Sequence, residues 1–190
     1  MRNHATAVLV LFLLAAPSLS RPPSDADGTA ARIAFVVGNP AHGFDSESVK
    51  DAWIAVHYLP TIGSDGARSY VREYTENAPA VAGVRHIFVS PEPADDFSKS
   101  LGALTGSDDL PVYNDPEARL AGTLGVPTPA TVPVLVVIDP SRRELFRTMG
   151  ESATDRLSFA AFAKRFAEAT QSAESRKANT ASGLALSGYD

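Results

Sequence analysis

Residues 134–138 read Val-Leu-Val-Val-Ile, an unbroken apolar run rich in β-branched side chains. Such a run fits a strand covered on both faces, and so a sheet with a layer on each side. Asp139-Pro140-Ser141 breaks the run as a turn would. A second strand is expected over 143–149, so that the two form a hairpin closing at Gly150. Thr131-Val132-Pro133 precedes the run. A proline there removes a ladder donor, so Pro133 either opens the strand or is a cis-proline that turns a loop.

Upstream, strands are expected over 32–37, 53–58 and 84–89, with a short extended piece at 110–113. Residues 67–77 place Tyr70, Val71 and Tyr74 on one helical face, with Ser64 or Asp65 able to cap. Further helices are expected over 94–104 and over 115–124, the latter with Pro116 at its first position and Gly125 at its stop. A last helix is expected over 155–169, capped by Ser152 or Thr154 and burying Leu157, Phe159, Phe162 and Phe166. Parallel crossovers feeding a terminal hairpin and helix give an α/β fold, a central mixed β-sheet flanked by helices. No GxGxxG or GxxxxGK[ST] run indicates a phosphate loop.

The ends of the chain have a different character. A short basic start, an apolar run over 5–16 and small residues at Ser18 and Ser20 predict a secretory signal peptide over 1–20. The run is too short to span a bilayer comfortably, so no membrane span is expected after cleavage, and the location is periplasmic or secreted. Residues 21–31, rich in Pro, Ser, Gly and Asp, read as a disordered leader, and 32–170 as the folded domain. Residues 171–190 read as a linker-like tail. Its final residues, from Gly183 to Gly188-Tyr189-Asp190, are similar to the opening of a YHS-type module. Net charge is −5 without a basic block, which argues against nucleic acid as a partner.

The motif order resembles the thioredoxin-like superfamily, in which a loop ending in cis-Pro leads to an apolar strand ending in Ile-Asp-Pro. A strand closing in Gly and a helix follow. Pro133 stands where that cis-proline would. Asp115-Pro116-Glu117-Ala118-Arg119-Leu120-Ala121, followed by Leu124-Gly125-Val126, is similar to a helix of the peroxiredoxin-type redoxins, the alkyl hydroperoxide reductase and thiol-specific antioxidant branch. The resemblance spans roughly residues 35–170. It implies a thioredoxin-like fold and descent from thiol-dependent oxidoreductases or peroxidases.

The chain has no cysteine. In that branch the active loop reads Pro-x-x-x-Thr/Ser-x-x-Cys; here it gives Pro60, Ser64 and Ala67. A thioredoxin-style alignment instead puts Thr61 and Ser64 at the two cysteines. Peroxide reduction and disulfide exchange need a thiolate, and a serine hydroxyl is essentially un-ionised without a base. The branch's active-site arginine has no clear counterpart, since Arg142, Arg143 and Arg147 lie past the strand concerned.

The resemblance then implies a degenerate active site and, in its place, a non-catalytic binding groove. That groove would comprise Pro60, Thr61, Ser64, Thr131, Val132 and Pro133, for an unknown protein or peptide partner in the cell envelope. No cofactor is expected. The alternative is a His/carboxylate metal-binding, copper-handling protein or a cysteine-independent enzyme on the same fold. Its weak metal candidates, His42, His57 and His86, are scattered in sequence without HxH or HxxxH spacing. Convergence of these histidines on one cleft would favour it. Glu92, Asp95, Asp96, Asp108 and Asp109 read as solvated loops and a helix N-terminus.

Overall fold

The computed structural model describes residues 32–38, 43–104 and 110–186, with side chains described as far as Arg176. The predicted signal peptide and leader, His42, Asp108, Asp109 and residues 187–190 lie outside the described residues.

The element order is β1 (Val36–Val37), β2 (Phe44–Asp45), β3 (Trp53–Tyr58), α1 (Asp65–Asn77), β4 (Val84–Ser90), α2 (Ala94–Ala103), β5 (Val112–Asn114), α3 (Arg119–Leu124), β6 (Val134–Ile138), β7 (Glu144–Met149) and α4 (Phe159–Leu186). β1 and β2 form a small antiparallel ribbon. The main sheet has five strands in the order β5-β4-β3-β6-β7. β3, β4 and β5 are parallel, as the crossover helices require, while β6 runs antiparallel to both β3 and β7. This is the expected mixed sheet.

The run at 134–138 is β6, and all five residues are buried. It lies between β3 and β7, and its side chains alternate between two cores. Val134, Val136 and Ile138 join Ile54, Val56, Tyr58, Ile87 and Val89 beneath α3 and the β1–β2 ribbon. Leu135 and Val137 join Ala55, Leu59 and Phe88 beneath α1 and α4. The ribbon is pinned by Arg142, which lies in the β6–β7 turn at φ 66° and is 4% exposed. Its guanidinium donates to the carbonyls of Ser46, at 2.6 Å, and Val49.

The strand expected over 32–37 is confined to Val36–Val37, and three helix boundaries move by several residues. α3 begins at Arg119 rather than Asp115, because Ala118 takes a left-handed φ of 53° and breaks the turn before the helix. The Asp115 carboxylate instead caps it from a distance, accepting from the N–H groups of Arg119 and Ala121. α4 begins at Phe159 rather than near Asp155. Its first-turn donors are met by Ser158 Oγ, which accepts from Ala161, and by Glu73 of α1, which accepts from Phe159 at 2.8 Å. The stretch expected as a linker-like tail is helical through Leu186. Ala is the commonest residue of 171–186, which contain no proline, and extending a packed helix needs no new nucleus. No helix among the described residues is long and apolar enough to cross a membrane.

Candidate functional site

The loop after β3 and the start of α1 hold the positions where thiols were sought. Ser64 is the N-cap of α1, its hydroxyl accepting from Ala67 N–H at 3.2 Å. Ala67 is fully buried beside Ile62, Tyr70 and Val71. Pro60 is half-buried. Thr61 donates its hydroxyl to Glu92 Oε1 at 2.5 Å and accepts from Gly63 N–H at 3.1 Å. Both hydroxyls of the loop are therefore occupied in holding its shape. Among the described residues neither faces an imidazole that could act as its base: His57 bonds His86 and Tyr70.

Glu92 organises this loop, contrary to its reading as a solvated acid. Its carboxylate also accepts from Ile62 N–H at 3.0 Å and from the hydroxyls of Ser90, at 3.1 Å, and Ser100, at 3.4 Å. A carboxylate flanked by two prolines, Pro91 and Pro93, was the only hint of this in the sequence.

Across the sheet, Pro133 is buried, Val132 half-buried and Thr131 exposed. Among the described residues the cis peptide is Thr128–Pro129, so Pro133 opens β6 on a trans bond and the cis-proline lies earlier in the loop. Pro133 O accepts from Gly150 N–H at 2.9 Å. A Cβ on Gly150 would lie 2.4 Å from Asp155 O and 3.3 Å from Pro133 Cδ, so only glycine lets the chain leave β7 here.

Beside Pro133 is a cavity of about 440 Å³. Its walls are Leu59, Val134, Leu135, Met149, Leu157 and Ala161, and Tyr70, Thr148, Asp155, Arg156 and Ser158 bring polar atoms to it. Of the six residues assigned to the groove from sequence, only Pro133 lines it. Arg156 was not singled out from sequence, where it falls in the first turn of the helix expected over 155–169; it lies in the loop before α4. Its Nε is buried without a partner, and its one hydrogen bond is a long one, Nη1 to Thr154 O at 3.4 Å. The neighbouring Asp155 carboxylate is turned to Glu151 N–H. Burial lowers the Arg156 pKa, and the nearby Tyr70 phenol partly opposes that.

The histidines are not scattered in space. His57 Nε2 lies 3.0 Å from His86 Nδ1, and His57 Nδ1 lies 2.7 Å from Tyr70 Oη. Strand register explains this: His57 and His86 sit two residues out of step on paired parallel strands, so both point to the same face, under α1. Rings of Tyr74, Phe88 and Phe162 pack around them at centroid distances of 4.5–5.0 Å. Burial pushes His57 well below its ordinary pKa, helped by His86, and pushes His86 down to about 4. Both are neutral near pH 7 and packed within the core. No group of three or more His, Asp or Glu that could hold a metal occurs among the described residues.

No family model and no curated protein matches the chain. Solved structures do. A thiol:disulfide interchange protein, DsbE, of Chlorobium tepidum aligns at 15% identity and a TM-score of 0.55, over 74% of this chain and 96% of its own. AhpC of Mycobacterium bovis aligns at 14% identity and a TM-score of 0.59, over 75% and 96%. A thiol peroxidase of Chromobacterium violaceum aligns at 14% identity and a TM-score of 0.58, over 73% and 86%. At such identities the likeness is one of fold. The chain thus has the thioredoxin-like fold that these structures share, and it carries no cysteine.

Proposed function

We propose that this chain is an exported redoxin-fold binding module without thiol chemistry of its own. It would hold a protein or peptide partner in the cell envelope along residues 131–133, beside the loop at 60–67. The observation that carries this reading is at the head of α1. Where a thiol oxidoreductase of this fold needs a thiolate, this chain has a capping hydroxyl at Ser64 and a buried methyl at Ala67. Thr61 is bound to Glu92. The scaffold around those positions is well formed, so a surface is kept while the nucleophile is gone. The groove of a thioredoxin-like fold can accept an extended backbone by strand-like addition, which needs no sulfur. Secretion rests on residues 1–20.

Peroxide consumption with dithiothreitol as reductant tests the reading. The wild type is expected to be silent. Ser64→Cys places a thiol at the cap, where the helix end favours a thiolate, and Ala67→Cys places one a turn deeper; activity in either shows the inherited frame. Turnover by the wild type would overturn the proposal. For export, the mass of the mature protein should begin at Arg21; an intact Met1 overturns that part.

A further inference from the structure

We propose that the cavity beside Pro133 binds a small organic carboxylate, held by Arg156 and the Tyr70 hydroxyl, with a short apolar body along Leu59, Leu135 and Leu157. This deepens the binding role proposed above and rests on it.

Three observations carry it. The first is the cavity itself: about 440 Å³ lies within the range of small-molecule pockets, and its lining is mixed, with Tyr70, Thr148, Asp155, Arg156 and Ser158 set among apolar side chains. The second is Arg156. Among the described residues no carboxylate pairs with it, and its buried Nε has no partner. A Cβ on Gly66 would lie 3.3 Å from its Nη1, so the guanidinium sits over the first turn of α1. That end of a helix is itself partly positive. Asp65, the acid of that turn, is 96% exposed and pairs with Arg68 instead. Two positive ends and an unused donor leave room for one anion.

The third observation is the chain Tyr70–His57–His86. His86 Nε2 is buried without a partner. An orphaned N–H is rarer in protein interiors than an unused acceptor. The protonation that avoids it runs His86 Nδ1–H to His57 Nε2 and His57 Nδ1–H to Tyr70 Oη. The Tyr70 proton is then free to donate to a ligand in the cavity that Tyr70 lines. A carboxylate takes both donors at once, one from a guanidinium and one from a phenol.

The test is titration of the purified full chain by calorimetry with pentanoate, its uncharged isostere pentanamide, inorganic phosphate, and acetyl-Ala-Ala-Leu with a free or amidated C-terminus. Pentanoate is expected to bind, with pentanamide and the Arg156→Gln variant weaker by about tenfold or more, the worth of one charge-assisted hydrogen bond. Tyr70→Phe should weaken binding by a few-fold, and Arg156→Lys should retain part of it. Thermal melting verifies that each variant is folded. Competition of pentanoate by the free-acid peptide but not by its amide assigns the carboxylate to a chain terminus; binding of pentanoate alone assigns it to a free acid. Equal binding of pentanoate and pentanamide, tighter binding of phosphate, no binding of pentanoate, or an unaffected Arg156→Gln each overturns the proposal. A silent peroxide assay together with absent carboxylate binding would leave the thiol-free module standing and remove only its ligand.

Discussion

The two faces of the main sheet are built on different terms. Beneath α3 and the β1–β2 ribbon, Ile54, Val56, Ile87, Val89 and Val136 make an aliphatic layer. Its polar content is at two points: Arg142 and Ser46 hold the ribbon, and Tyr58 donates to the buried Asp115 at 3.1 Å, where burial, aided by Asp115, raises the phenol's pKa. Beneath α1 and α4 the layer is aromatic and holds two neutral histidines and two tyrosines in contact. Away from those two points the aliphatic face needs volume and little else. The aromatic face needs specific partners for specific atoms, and it extends directly into the cavity at Arg156. The difference teaches where this chain keeps its chemistry: on the side that also carries the loop at 60–67.

The largest expected effect sharpens that contrast. Phe162→Ala, a fully buried ring against Tyr74 and His86, should cost about 3–5 kcal/mol in denaturant unfolding, and Ile87→Val on the other face about 0.5–1.5. Equal costs would break the comparison.

Acid comes next. His86 has a folded pKa of about 4 against 6.5 unfolded, and His57 is also lowered. As pH falls below 6.5 the unfolded chain takes up protons that the fold refuses, so stability is lost progressively from pH 6.5 down to about 4, and His57 extends the loss lower. His86 alone accounts for on the order of 3 kcal/mol over that window. Unfolding curves across it should show the loss, and His86→Leu should flatten it; an unchanged slope would sink the assignment.

On the aliphatic face, Asp115→Asn should cost about 1–3 kcal/mol, since a carboxylate that receives Tyr58 and two N–H groups becomes an amide that serves them less well. The smallest effect is Ser64→Ala, about 1 kcal/mol from a lost cap. A much larger loss would mean that the loop hydroxyl does more than end a helix.

Much of the architecture was legible in the chain because its signals are local. The run at 134–138, the turn after it, the spacing of Tyr70, Val71 and Tyr74, and the stop at Gly125 each follow from side chains within a few residues of one another. The missing thiolate was legible for the same reason, since it needs only a count of cysteines. Local reading failed at α3 and α4 because their caps come from elsewhere: Asp115 across a turn, and Glu73 from another helix. Glu92, Arg156 and the His57–His86 pair were hidden because their partners lie roughly 30 or more residues away in the chain, as with Thr61–Glu92 and His57–His86, or, for Arg156, because what defines it is an empty volume. Sequence by itself determined the layers, the mixed sheet and the absence of any thiol, all of which depend on composition and period. Only the tertiary structure decided which polar atoms meet beneath α1, where the cis-proline falls, and that an unpaired arginine faces a cavity. Those depend on strand register and packing, which bring distant residues together.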